Sequence, residues 1–214
     1  MLRIRLFLAS FILASALTTS CIPFTVGSTA RPVPAGEHTQ SNSFYVVPNS
    51  FDVDSTHSLS RTGVDSEIRY GLDDRSDMGL RIVGYSGGVV TYKRRLNGPT
   101  TQPGFALAAM GGAGVVNLGE HAHFEASLLA SGADNTVTPY GGLRVMKVYP
   151  ISRGAVHDSP TIGAFFGVKL GDVFAVSPEI GFFHDRSALG IRTGSLIIVP
   201  SITISRTGNR HGDF

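Results

Sequence analysis

The 214-residue sequence contains no tryptophan and a single cysteine, Cys21. One cysteine excludes an intramolecular disulfide, so any exported fold must be held by other means. Charge is also scarce. Asp, Glu, Lys and Arg make up 16% of the chain, against about a quarter in ordinary soluble domains, and no cluster of basic residues supplies the footprint a nucleic acid needs. After the first twenty residues no run approaches the ~18 apolar residues of a membrane-spanning helix. Nor does any stretch sustain a 3.6-residue apolar period, which argues against a helical class. What is abundant is glycine, 26 residues, in a chain that is 42% hydrophobic. Glycine weakens a helix by roughly 1 kcal/mol per residue, whereas tight hairpins and close strand crossings use it. These features predict an apolar, β-rich protein.

The N-terminus gives its compartment. In "MLRIRLFLASFILASALTTSC" Arg3 and Arg5 precede an apolar core from Leu6 to Leu17, and the small residues Thr18, Thr19 and Ser20 lead to Cys21. That is the layout of an export signal peptide over residues 1–20. The placement of Cys21 resembles the bacterial lipoprotein lipobox, which implies cleavage before Cys21 and its acylation; a plain signal peptide cut near Ser20 is the alternative. Removing Arg3 and Arg5 from 18 basic residues leaves 16, equal to the 16 acidic ones. Residues 21–40 hold prolines, small polar residues and no periodicity. They are expected to form a flexible or acylated tether.

From about residue 41 extended segments alternate with turn sequences. Strands are expected near 42–53, 62–72, 77–86, 88–96, 104–116, 120–131, 136–149, 161–170, 173–184 and 191–206, ten in all within a range of eight to twelve. Most alternate with period two. In 120–131 the even positions are Ala122, Phe124, Ala126, Leu128 and Ala130, while the odd ones include His121, His123, Glu125 and Ser127. Val64, Ile68, Tyr70 and Leu72 oppose Asp65, Glu67 and Arg69; Val90, Tyr92 and Leu96 oppose Thr91, Lys93 and Arg95. A soluble sandwich turns such apolar faces inward, and a transmembrane barrel turns them to lipid with the polar set in the lumen. Small residues on the apolar faces would fill a close-packed core poorly, and charges mixed on the other face suit a lumen in which they pair. Most of the segments are also as long as a tilted strand spanning a bilayer, ~9–11 residues.

The pattern "VDSEIRYGLDDRSDMGLRIVGYSGGVVTYKRRL" at 64–96 follows as barrel hairpins do, and the chain over 41–206 resembles small bacterial outer-membrane β-barrel proteins. The resemblance implies an all-β, antiparallel up-and-down transmembrane barrel in the outer membrane, with residues 207–214 as a C-terminal tail. Its implied partners are outer-membrane lipids and the barrel-assembly machinery, with no nucleic acid and no cofactor. Without tryptophan, an interfacial aromatic belt falls to Tyr70, Tyr85, Tyr92, Tyr140 and Tyr149.

The predicted lumen set is Asp65, Glu67, Arg69, Arg81, Lys93, Arg95, His121, His123, Glu125, Arg144, Lys169 and Glu179. These either line a pore or pair with one another in a filled interior, as expected for a barrel near the small end of the range. His121, His123 and Glu125 share one face and have the donor types of a metal site, against a plain hydrogen-bonding set. Ser127 with His123, or His184 near Ser187, raises a lipid hydrolase at the rim, but His123 and Ser127 lie ~13 Å apart along a strand. A nucleophile needs its base within hydrogen-bond reach. The "GGAG" at 111–114 lacks the helix a phosphate loop requires and belongs to a strand. The sequence thus favours a non-enzymatic barrel with a structural or small-channel role. The alternatives are a soluble periplasmic β-barrel or sandwich lipoprotein binding a small apolar ligand, and the rim hydrolase.

Overall fold

A computed structural model describes residues 22–52, 58–133, 135–151, 160–185 and 195–208. The signal segment, Cys21, Ser187 and the tail beyond Gly208 lie outside the described residues. Ten strands follow in chain order: β1 (His38–Asp52), β2 (Ser58–Gly71), β3 (Ser76–Val83), β4 (Gly87–Arg95), β5 (Ala106–Val116), β6 (His121–Ser131), β7 (Val137–Pro150), β8 (Thr161–Leu170), β9 (Phe174–Asp185) and β10 (Ser195–Gly208). Each pairs antiparallel with its sequence neighbours, and β1 pairs with β10, as in Phe44 opposite Ile202, to close the barrel. Closure leaves no sheet edge with unpaired backbone groups.

The alternation read in the sequence sets the two sides of the wall. Phe124, Ala126 and Leu128 of β6 point outward, as do Leu80 and Ile82 of β3, Val90 and Tyr92 of β4, and Ile198, Ile202 and Ile204 of β10. Their counterparts one residue along the chain point inward and are mostly buried. The exterior is therefore an apolar belt. Polar residues interrupt it in places; in one such pair the Ser66 hydroxyl donates to Asn42 Oδ1 at 2.7 Å across β1 and β2.

The expected tether behaves differently. Residues 22–37 lie inside the barrel, with Ile22, Phe24, Thr25, Val26 and Ala30 all buried, and residues 38–40 already belong to β1. We call the rim where β1 begins and β10 ends the near rim, and the opposite one the far rim. Ile22 and Phe24 sit in a cluster with Tyr45, Val83, Val89, Val116 and Phe183 in the far half. The segment then descends through the lumen to the near rim. There the N–H of Glu37 donates to the Pro34 carbonyl and that of Gly36 to the Gly71 carbonyl, each at 3.0 Å, and the chain reverses into β1. Gly71 is required at this crossing, since a Cβ there would lie 1.9 Å from the Pro34 oxygen.

Prolines and the lack of periodicity give this stretch the look of an unstructured linker. It needs no side-chain pattern, because an enclosing wall satisfies its backbone.

Candidate functional site: the occupied lumen

The inward side chains form three layers along the barrel axis. The far layer is apolar: Val47 of β1, Val83 of β3, Val89 of β4, Val116 of β5, Met146 and Val148 of β7, Phe183 of β9, and Ile197 and Val199 of β10 close around Ile22 and Phe24. The rings of Phe24 and Phe183 meet edge to face with centroids 5.3 Å apart. The middle layer is ionic. The near layer is mixed: Ala106, Ala108, Met110, Leu129, Tyr140 and Phe165 form an apolar cluster with Val26 and Ala30 of the threaded segment, beside a cavity of about 700 Å³ whose lining includes Thr39, Ser41, Ser177, Ser205 and Lys169.

In the ionic layer most charges from neighbouring strands are paired. Glu67 receives Arg69 at 2.6 Å and Arg81 at 3.2 Å. Arg69 also bonds Asp77, whose second oxygen lies 3.3 Å from Lys93 Nζ. On the other side Glu125 pairs with Arg144 and lies 3.1 Å from His123 Nε2. Burying an ion costs several kcal/mol unless a partner and further hydrogen bonds compensate it, so most of these charges occur in mutually compensating groups.

Several of these groups also bond the backbone of the threaded segment. The guanidinium groups of Arg81 and Arg144 both donate to the Thr25 carbonyl, each at 3.1 Å. Lys93 donates to the Thr29 carbonyl at 3.2 Å and to the Ser28 hydroxyl at 2.9 Å. Asp77 accepts the Val33 N–H at 2.8 Å, and the Tyr45 hydroxyl donates to the Ile22 carbonyl at 2.9 Å.

Glu179 is built for the segment most directly. It accepts the N–H groups of Val26 and Gly27 at 2.9 Å each and the Tyr140 hydroxyl at 3.0 Å. Among the described residues, no ion pair places a base on it. Gly27 itself has φ of +57°, and a Cβ on it would meet the Thr203 hydroxyl at 2.4 Å.

Toward the near rim Arg31 and Arg95 converge on the β4–β5 loop. Arg31 donates to the carbonyls of Thr100, Gln102 and Gly104, and Arg95 to those of Pro99, Thr100 and Gln102. Two guanidinium groups thus share the Thr100 and Gln102 carbonyls and tie the loop to the threaded segment.

Of the twelve residues expected in the lumen, Asp65, Glu67, Arg69, Arg81, Lys93, Arg95, His123, Glu125, Arg144 and Glu179 are buried there. Lys169 is half-buried at the cavity. His121 lies at the far end of β6, where its Nδ1 is 3.2 Å from Asn117 Nδ2. His123 and Glu125 touch, but His121 does not join them, and no group of three such ligands among the described residues is placed to hold a metal.

The Ser127 hydroxyl has no hydrogen-bond partner, while His123 bonds Glu125, so the two do not form a nucleophile and base. His184 is exposed on the outer face of β9. Tyr140 corrects the aromatic-belt assignment: it points inward to Glu179, whereas Tyr85, Tyr92 and Tyr149 face out. Pro139 occupies the outward position of this strand, so period two turns Tyr140 inside.

Asp77 is absent from the expected lumen set because its surroundings resemble a turn. Its spacing of four from Arg81 puts both on the same strand face, and that is the signal the sequence carries for it.

No protein-family model matches the sequence, and no curated protein does either. Solved structures similar to it include an outer membrane channel from Pseudomonas putida F1, at 12% identity over 86% of this chain and 100% of that one, with a TM-score of 0.47. Neisserial surface protein A matches at 12% identity over 81% of this chain and 96% of its own, TM-score 0.37. The outer membrane protein OprG of Pseudomonas aeruginosa matches at 12% identity over 85% and 100%, TM-score 0.33. These values mark a distant likeness of form.

Proposed function

We propose that this chain is an integral β-barrel of the bacterial outer membrane, lipidated at Cys21, whose lumen is closed by its own N-terminal segment. Its role is structural, or that of a small channel kept shut in this state. The observation that carries the reading is the inversion of the wall. Isoleucine, leucine, valine and phenylalanine face outward around the barrel, and a paired ionic network lies inside. A soluble β-protein would expose the charges and bury the apolar faces. An apolar exterior of this extent is stable in acyl chains and promotes aggregation in water.

The layering of the lumen supports the closed state. A small solute entering the near cavity meets the ionic layer, with the threaded segment hydrogen-bonded across it, and then the apolar layer. The export signal and Cys21 support lipidation, and the exterior belt makes membrane lipids the principal partner. Nothing in the arrangement of His123, Glu125 and Ser127 favours catalysis.

The test is extraction. Full-length protein and a Cys21→Ser variant are washed in carbonate and run unboiled in detergent. Both should stay with the membrane and migrate faster than boiled samples, as a closed barrel does. Release of the Cys21→Ser variant into the wash would instead support a soluble domain held only by its lipid.

A further inference from the structure

The course of residues 22–37 has a topological consequence. β1 begins at His38 on the near rim. Sixteen residues earlier, Ile22 is packed in the far-half cluster, its carbonyl held by the Tyr45 hydroxyl and its neighbour Phe24 against Phe183. Val83 and Val89 of that cluster flank the β3–β4 turn, and Val116 is the last residue of β5, so the cluster lies against the far mouth. Between these points the segment is fixed in order down the axis: Thr25 to Arg81 and Arg144, Gly27 to Glu179, Thr29 to Lys93, Val33 to Asp77, Pro34 over Gly71.

We infer that the chain enters its own barrel through the far rim, so that whatever precedes Ile22 is presented on the opposite side of the membrane from the start of β1. The inference rests on the membrane reading above.

The physical reason is space and polarity. Below Ile22 the lumen is occupied by the segment itself, and around it the apolar layer offers no backbone partners for a second strand of chain. A returning peptide would bury unsatisfied N–H and C=O groups, at several kcal/mol each. Cys21 is one residue, about 3.8 Å of backbone, from Ile22. An acyl group on it therefore enters the leaflet bordering the far rim, while the strand termini and the turn 72–75 face the other side. An anchor attached this way holds the segment in the lumen, because withdrawal toward the near rim would drag acyl chains out of hydrocarbon at ~0.8 kcal/mol per CH₂.

Two epitopes in one full-length protein test this whichever way the barrel is oriented in the membrane. One is inserted between Cys21 and Ile22, the other in the exposed β2–β3 turn at 72–75. Intact cells should bind antibody to one epitope only, with the other appearing after permeabilisation. Both epitopes accessible on intact cells, or both hidden, would overturn the inference. Carbonate washing of the same cells separates the two ideas, since release of the protein would remove the membrane reading itself.

A second measurement guards against disturbance by the insertions. In a Cys21→Ser background, Phe24→Cys and Phe183→Cys should be joined by a short bis-maleimide within one chain, changing its mobility after boiling. Absence of that product in protein that is still heat-modifiable would overturn the threaded course.

Discussion

The carboxylate of Glu179 accepts the backbone N–H of Gly27 at 2.9 Å, with the N–H of Val26 at the same distance on its other oxygen. A buried carboxylate supported by amides of another part of the chain fixes that part in place. Replacing it by alanine leaves the N–H groups of Val26 and Gly27 and the Tyr140 hydroxyl without their acceptor, at about 1–3 kcal/mol for each buried donor. Glu179→Ala should therefore cut protection of residues 22–37 against limited proteolysis by about tenfold or more in detergent-solubilised protein, with the barrel still heat-modifiable. Glu179→Gln, which keeps one acceptor oxygen, should fall between. Equal protection in all three proteins would contradict this role.

Removal of the segment tests closure. A chain lacking residues 22–37 keeps the wall ion pairs Glu67–Arg69, Asp77–Lys93 and Glu125–Arg144, which do not involve the segment. It should form discrete conductance steps in planar bilayers where the full-length protein is silent. Silence of both would mean that the wall alone fills the lumen.

The same displacement is expected from a single side chain. Gly71→Val places a Cβ against the Pro34 carbonyl, and Gly27→Val combines a left-handed backbone with a clash on Thr203. Each should expose the segment to protease without dissolving the barrel. Gly36→Ala is the control, since a Cβ there has open space although its φ of +81° is strained. It should cost less than either.

The ionic layer gives a stability prediction. Glu125→Ala removes the carboxylate in ion-pair contact with Arg144 and leaves its guanidinium on the Thr25 carbonyl, and removing one partner of a buried pair costs about 3–5 kcal/mol. Denaturant unfolding of detergent-folded protein should show that loss. Replacing the pair together, Glu125→Leu with Arg144→Met, should cost less than the single change, because no charge is left uncompensated.

How much of the barrel is legible in the sequence depends on where the information lies. The ten strands are visible because the wall separates two surroundings of opposite character, and that separation is printed into alternate residues such as Phe124 and Glu125. The expected and observed strands differ mostly by one to four residues at their ends, where turn residues take either state. The lumen charges are visible for the same reason.

The segment at 22–37 is not. Its contacts are made largely by its own N–H and C=O groups, which every sequence carries, so no pattern of side chains announces them. The indirect trace is on the wall: Glu179 is a buried carboxylate for which the ion pairs among the described residues supply no base, and such a carboxylate implies another partner. Tyr140 escapes correct assignment because tyrosine serves equally at a membrane interface and as an interior hydrogen-bond donor. Only the register of β7 decides between them.

The exterior belt makes the remaining predictions. Ile202 points outward in β10, paired opposite Phe44. Ile202→Arg should destabilise the protein in vesicles by about 2–4 kcal/mol if this position lies near the bilayer midplane. The most direct test follows β6 residue by residue. With Cys21→Ser as background, nitroxide labels are placed singly at positions 122 to 130, and collisions with lipid-soluble oxygen and with a water-soluble nickel complex are measured in vesicles by electron paramagnetic resonance. Oxygen accessibility should peak at the even positions, Ala122 to Ala130, and nickel should reach none of them. Nickel accessibility at the even positions would contradict a belt immersed in acyl chains.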